Sequence, residues 1–188
     1  MSDRRNRPQR IRLTALPKRP ADEAARDNRV VSQSVAATDV LLEREANLER
    51  LALALERARS GEGSVVLVEG EAGIGKTALL EVAKERALTA GCTVLTARGG
   101  ELERDFAHGV ARQLYEPLLH AAAADRREAL LHGAAQLAAP VLGLTVASKR
   151  SSEGFAGDPG FAANHGLYWL TANLAESGTL LLVVDDAH

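Results

Sequence analysis

The sequence predicts an α/β fold in which helices flank a parallel sheet. Three short apolar runs, at residues 64–69, 92–97 and 179–184, alternate with segments whose leucines recur at helical spacing. Apolar runs without a polar face are typical of strands covered on both sides, as in parallel sheets. Aromatic residues make up only 3% of the 188-residue chain, so Leu, Val and Ala must build the core.

The first 37 residues lack this organisation. Nine of the 23 basic residues but only four of the 25 acidic ones lie within residues 1–30, mixed with Pro, Gln and Ser without any period. This composition buries too little apolar area to offset the entropy cost of ordering, so we predict a disordered basic tail over residues 1–37 and a folded part over residues 38–188. A nucleic-acid-binding arm and a start codon placed too early are two other interpretations of the tail, and the sequence does not separate them. The remainder is acidic and gives no reason to expect contact with nucleic acid.

The first half of the folded part is a helix followed by a strand, helix, strand unit. Leucines at helical spacing predict an amphipathic helix over residues 40–59, and Ser60–Gly63 ends it before the first strand. A second helix is predicted over residues 78–89, closed by Ala90-Gly91. The second strand, CTVLTA, follows directly.

Helices dominate the second half. Apolar residues recur every fourth position from Phe106 to Leu118, and two Ala/Leu-rich helical stretches continue to about Leu144. A Ser/Gly/Pro-rich loop over residues 145–160 precedes a helix over residues 161–176 and the last strand.

A phosphate-binding motif lies between the first strand and the second helix. Residues 70–77 read Gly-Glu-Ala-Gly-Ile-Gly-Lys-Thr, the pattern of a P-loop. Its glycines let successive amides turn inward around a phosphate, and the positive end of the following helix favours an anion there. Lys76 would contact the β and γ phosphates of ATP, and the Thr77 hydroxyl would bind Mg²⁺. The residues predicted to hold the nucleotide are Gly70, Glu71, Ala72, Gly73, Ile74, Gly75, Lys76, Thr77 and Ala78.

The last apolar run ends in two acids, Asp185 and Asp186. An apolar strand that delivers an acid at its carboxyl end resembles the second motif of nucleotide-binding proteins. We predict that Asp185 holds Mg²⁺ through water and that Asp186 polarises the attacking water, which with Lys76 makes three catalytic residues. A turn or helix-cap aspartate is the structural alternative.

The other reactive and aromatic side chains are predicted to be structural. Cys92 is the only cysteine, which excludes an intramolecular disulfide. The five histidines have no ligand spacing, so no metal other than Mg²⁺ is expected. Tyr168 and Trp169 lie in an apolar helix and are predicted to be core rather than an adenine platform. The sequence contains neither an apolar run of membrane-spanning length nor a signal region, and we expect a cytoplasmic protein without membrane contact.

Several stretches resemble the ATPase domain of the large LuxR-type regulators of actinomycetes, members of the STAND class of signal-transduction ATPases. The resemblance covers residues 40–188. Its stretches are LLEREANLERL (41–51), VLVEGEAGIGKTALL (66–80), ARGGELERDFAHGVARQLYEPLL (97–119), DPGFAANHGLYWLTANLAE (158–176) and LLLVVDDAH (180–188). It implies a P-loop NTPase fold and a nucleotide-operated switch, in which ATP binding and slow hydrolysis set the conformation of a long protein that ends in a helix-turn-helix domain.

The resemblance also implies that the later strands, the sensor residues, the lid and the DNA-binding domain would lie beyond His188. Residues 38–188 are therefore expected to be the N-terminal part of the domain, in an incomplete sheet whose missing strand belongs between the phosphate-loop strand and the acid-bearing strand. Such a chain is not expected to be a competent ATPase on its own. The alternatives are a stand-alone small P-loop kinase or ATPase and a non-catalytic interaction fragment. The distance in sequence from Lys76 to Asp185 leaves too little chain for a kinase lid.

Overall fold

The computed structural model describes residues 11–16, 40–100, 108–144 and 158–187 of the chain. The chain divides into two compact units, Met1–Arg86 and Ala87–His188. The first unit holds β1 (Arg12–Leu16), α1 (Val40–Arg59), β2 (Val65–Glu69) and the start of α2 (Lys76–Thr89). The second holds β3 (Thr93–Arg98), α3 (Gly109–Ala121), α4 (Ala124–Leu130), a 3₁₀ helix (Gly133–Ala138), α5 (Pro159–Glu176) and β4 (Leu180–Asp185).

In the first unit, β1 pairs antiparallel with β2 along its whole length, from Arg12 opposite Glu69 to Leu16 opposite Val65. Leu13 is 4% exposed, and the Arg50 guanidinium of α1 donates a hydrogen bond of 2.9 Å to its carbonyl oxygen. The structure thus differs from the predicted disorder of residues 1–37 at residues 12–16. These residues are ordered by pairing with β2, and the local sequence has no periodicity that would have predicted a strand. The rest of that predicted tail, apart from Ile11, lies outside the described residues.

Strand β2 is more exposed than its apolar sequence predicts. Val65 is 60% exposed and Leu67 43%, whereas Val66 and Val68 on the other face are half-buried. The prediction that β2 is covered on both faces is therefore wrong for the face that carries Val65 and Leu67.

In the second unit, β3 and β4 form a parallel pair, with Thr93 opposite Leu180 and Arg98 opposite Asp185. This pair shows part of the predicted parallel sheet. In the described residues the four strands form two two-stranded sheets, and the antiparallel pairing of β1 with β2 was not predicted.

The core of the second unit lies between the helices and the inner face of β3. Its buried side chains are mostly Leu and Ala, and Leu119, Leu142 and Leu170 are fully enclosed. Helix α5 packs closely on the 3₁₀ helix at Gly166, where an added Cβ would lie 2.3 Å from the Ala138 nitrogen. Tyr168 and Trp169 are 66% and 42% exposed, so the prediction that they belong to the core is wrong. They lie on the outer face of α5, which buries its smaller residues. None of the helices in the described ranges has the length and apolar character required to cross a membrane.

Candidate functional site

The predicted phosphate loop connects β2 to α2. Gly70 directly follows the last residue of β2, and α2 begins at Lys76. Gly73 and Gly75 have φ angles of +79° and +99°, a region that favours glycine. Nothing lies within 4 Å of a Cβ built at Gly73, so the backbone angle rather than space calls for glycine there.

The side chain of Lys76 folds back over this loop. Its Nζ donates hydrogen bonds of 2.8 Å to the Gly70 carbonyl and 2.9 Å to the Glu71 carbonyl. An ammonium has three donors, and these two neutral acceptors take two of them. A phosphate oxygen placed at the loop would offer a charged acceptor, which makes a stronger hydrogen bond than a carbonyl.

The start of α2 adds to the positive potential at the loop. The Leu79 amide donates to the Gly75 carbonyl at 3.1 Å, so the first helical hydrogen bond of α2 is accepted by a residue of the loop. No acidic residue lies in the first turn to neutralise the positive end of the helix. The Arg86 guanidinium near the other end of α2 donates to the Leu48 carbonyl of α1 at 3.4 Å, within the same unit.

The two predicted acids lie at the carboxyl end of β4 in the second unit. Asp185 is the last residue of the strand, and its Oδ1 accepts a 3.0 Å hydrogen bond from the Asp186 amide. Asp186 has a φ of +51°, a conformation uncommon for residues other than glycine. Gly99 permits this turn, because a Cβ at that position would lie 2.2 Å from the Asp186 carbonyl oxygen.

Arg98 contacts these acids and was missed by the sequence analysis. Its Nε and Nη2 donate to Oδ2 of Asp186 at 2.9 and 2.7 Å. The hydrogen bonds and the charge of Asp186, with a further contribution from the charge of Asp185, raise the pKa of the Arg98 guanidinium above its ordinary value. The sequence did contain a signal for Arg98. It directly follows the second apolar run, and parallel strands bring their carboxyl ends to the same edge of a sheet, where the acids of the last strand also lie.

The backbone at Arg98 is itself fixed from α3. Gln113 accepts a 2.9 Å hydrogen bond from the Arg98 amide through Oε1 and donates one of 3.0 Å to the Arg98 carbonyl through Nε2. The Gly99 amide then donates to the Asp185 carbonyl at 2.8 Å and extends the ladder by one residue. Together these bonds hold the Arg98 and Asp185 backbones in place.

The structure therefore brings the predicted residues together in two groups. Residues 70–78 form one strand, loop, helix segment, and Asp185 and Asp186 form a second group with Arg98. In the parts of the chain that the structure covers, no three His, Cys, Asp or Glu side chains gather as a ready-made metal site.

A family model described as an AAA ATPase domain matches residues 40–188. The chain belongs to the AAA ATPase domain family. No curated protein and no solved structure matches it. An AAA ATPase domain is a nucleotide-binding module with a P-loop α/β fold, and its family uses a nucleotide and usually Mg²⁺. The loop fits that requirement, because residues 70–77 carry the P-loop pattern between a strand and a helix. Strand β1 lies outside the residues that the AAA ATPase match covers.

Proposed function

We propose that the chain is the ATP-binding module of a LuxR-type transcriptional regulator, a longer protein in which ATP binding and slow hydrolysis operate a switch. The observation that carries the nucleotide-binding part is the phosphate loop itself. Gly73 and Gly75 have left-handed backbone angles, and the ammonium of Lys76 lies against two carbonyls of the loop.

The residue roles follow from this proposal. The backbone of Gly70–Ala78 encloses the phosphates, and Lys76 moves from the loop carbonyls to the phosphate oxygens. Thr77 and Asp185 hold Mg²⁺, which neutralises charge on the β and γ phosphates. Asp186 polarises the attacking water, and the two hydrogen bonds from Arg98 fix the orientation of its carboxylate.

The regulator context rests on a different observation. The stretches at residues 97–119 and 158–176 lie outside both nucleotide motifs, yet they also resemble the LuxR-type ATPases. We propose that residues 38–188 are the N-terminal part of such a domain, working in the cytoplasm without touching nucleic acid directly. The DNA that follows the His188 codon tests this, and an in-frame segment encoding a helix-turn-helix domain is the expected result. An open frame that continues into an unrelated domain would contradict the regulator role.

Substitution of Lys76 tests the nucleotide site. Lys76→Ala removes the ammonium that donates to the Gly70 and Glu71 carbonyls of the loop, and MgATP affinity should fall at least tenfold, equivalent to about 1.4 kcal/mol. Isothermal titration calorimetry measures this. Lys84→Ala is the matched control, because Lys84 lies on the same helix and pairs with Glu81 rather than with the loop. Equal MgATP affinity in wild type and Lys76→Ala would refute the assignment.

A further inference from the structure

Strand β1 is an element that the family match does not account for. The AAA ATPase match begins at residue 40, whereas β1 spans Arg12–Leu16 and still pairs with the strand that carries the phosphate loop. We propose that residues 12–16 are an intrachain strand ligand of the ATPase domain, and that their docking on β2 stabilises the phosphate loop for nucleotide. The coupling to nucleotide rests on the proposed function; the docking does not.

The docking surface is the edge of β2 together with α1. All five residues of β1 lie opposite a residue of β2, so the main-chain ladder contributes along the whole strand. Leu13, opposite Val68 on the half-buried face of β2, is 4% exposed. The Arg50 guanidinium donates to the Leu13 carbonyl at 2.9 Å, which anchors β1 from a helix inside the family match. This is the pattern of β-strand addition, in which an extended segment completes an exposed sheet edge.

The ladder ends where the phosphate loop begins. Arg12 is opposite Glu69, and the next residue is Gly70, whose carbonyl accepts a hydrogen bond from Lys76. Among the described strands β1 is the partner of β2, so its loss would release the backbone that leads into the loop. A loop that starts from a looser backbone loses more conformational freedom when it closes on a ligand. By reciprocity, nucleotide bound at the loop must strengthen the docking of β1.

Arg50→Met tests the docking without altering β1, β2 or the loop. Amide hydrogen exchange at residues 12–16 and 65–69, measured without nucleotide, should become at least about fivefold faster, because local opening of the strand pair becomes easier. Leu13→Asn, which replaces the buried side chain, should act in the same direction. Arg57→Met is the matched control, since Arg57 is an exposed arginine of the same helix, and its exchange should match wild type. Unchanged exchange in both Arg50→Met and Leu13→Asn would overturn the proposal.

The coupling is tested with MgATP. Arg50→Met and Leu13→Asn should each weaken MgATP binding at least about threefold relative to Arg57→Met, and MgATP should slow exchange at residues 12–16 in wild type but not in Lys76→Ala. If wild type binds MgATP and the two variants bind it equally well, the coupling is refuted while the proposed function stands. If wild type does not bind MgATP, the proposed function and the coupling both fail, and the exchange without nucleotide still decides the docking.

Discussion

The two aspartates at the end of β4 are neighbours in sequence but differ in their contacts. Asp185 lies in the ladder opposite Arg98, and its Oδ1 accepts the amide of the next residue. Asp186 lies past the strand, and its Oδ2 accepts two hydrogen bonds from the Arg98 guanidinium. This difference in position suits different tasks, one carboxylate at the strand end for a metal and one beyond it for a water.

Asparagine substitutions should separate these tasks. Asp185→Asn removes a charge next to the proposed metal position and should weaken Mg²⁺-dependent ATP binding about tenfold or more. In a protein that contains the complete ATPase domain, Asp186→Asn should leave MgATP affinity within about twofold and slow single-turnover hydrolysis by about a hundredfold or more, the usual contribution of a general base. Asp125→Asn, at an exposed position of α4, is the control for both measurements. The role given to Asp186 is wrong if its variant loses affinity as Asp185→Asn does.

Single residues show what the sequence could and could not reveal about the site. The strand, loop and helix arrangement around residues 70–77 was predictable, because the fixed Gly, Lys and Thr positions of the P-loop pattern each answer to a local backbone or charge requirement. For Arg98 the sequence indicated only that it ends a strand at the same sheet edge as the acids, whereas its pairing with Asp186 depends on the register that sets it opposite Asp185. The register between strands more than eighty residues apart is a property of the folded sheet, and it cannot be read from the local sequence of either strand.

At the scale of elements, the packing of α5 on the 3₁₀ helix depends on a missing side chain. A Cβ at Gly166 would lie 2.3 Å from the Ala138 nitrogen and 2.6 Å from the Leu137 carbonyl carbon, both backbone atoms that cannot rotate away. Asn173 fixes a second point of α5, this time against α4, because its Nδ2 donates to the Leu130 carbonyl at 2.9 Å. Helix α5 therefore has little room to shift against either neighbour.

Gly166→Ala should consequently destabilise the second unit. Overpacking of this kind costs about 1–3 kcal/mol, which exceeds the gain of about 1 kcal/mol in helix propensity. Trp169, the single tryptophan, lies on α5 and reports chemical unfolding by its fluorescence. Asn164→Ala, an exposed substitution in the same helix, should cost nothing. A Gly166→Ala protein as stable as Asn164→Ala would contradict the close packing of Gly166 on the 3₁₀ helix.

Tyr115 links α3 to α5 and gives the second unit an alkaline pH dependence. The Thr171 hydroxyl donates to the Leu167 carbonyl, so the Tyr115 hydroxyl donates to Thr171 at 2.6 Å. Burial raises the pKa of Tyr115, and the hydrogen bond with Thr171 opposes this in part. The folded state thus holds the phenolic proton more tightly than the unfolded state, whose pKa is about 10.

The sign of the effect follows from linkage. The contribution of Tyr115 to the unfolding free energy is complete below pH of about 10 and is lost as the pH rises through its higher folded-state pKa. Tyr115→Phe removes this titration, so the gap in stability between wild type and Tyr115→Phe should narrow above pH of about 10. Denaturant titrations followed at Trp169 at several pH values measure the gap. A gap that stays constant across this range would contradict the burial of the hydroxyl.

Most elements were predictable from the sequence, and the exceptions share a cause. Helix α1 matches residues 40–59, and β3 and β4 lie within one residue of their predicted ends. Strand β1 was missed. The sequence located α5 correctly, but the exposure of its Tyr168 and Trp169 was mispredicted. Periodicity shows that a segment has two faces, but only the neighbouring elements decide whether either face is covered.

At the scale of the whole molecule, apolar strand surface remains exposed in both units. Val65 and Leu67 of β2 are 60% and 43% exposed, and Leu182 of β4 is 38% exposed. Each described strand has one partner within its two-stranded sheet, so each sheet has edges that offer backbone donors and acceptors. Apolar strands with open edges are templates for pairing with another chain, and the net charge of −2 provides little repulsion against it.

The protein should therefore self-associate through these strands as its concentration rises. A lysine at Leu67 or Leu182 places a charge on the exposed face, the device by which natural edge strands avoid pairing, and the double variant should stay monomeric to a concentration at least about tenfold higher than wild type. Sedimentation velocity over a concentration series measures this. Leu53→Lys is the matched control. Leu53 is 55% exposed, but it lies inside α1, where the backbone groups are hydrogen-bonded within the helix. If Leu53→Lys suppresses association as well as the strand variants do, general apolar contact rather than strand pairing drives it. A wild-type protein that stays monomeric throughout the series would show that the exposed strands are shielded in solution.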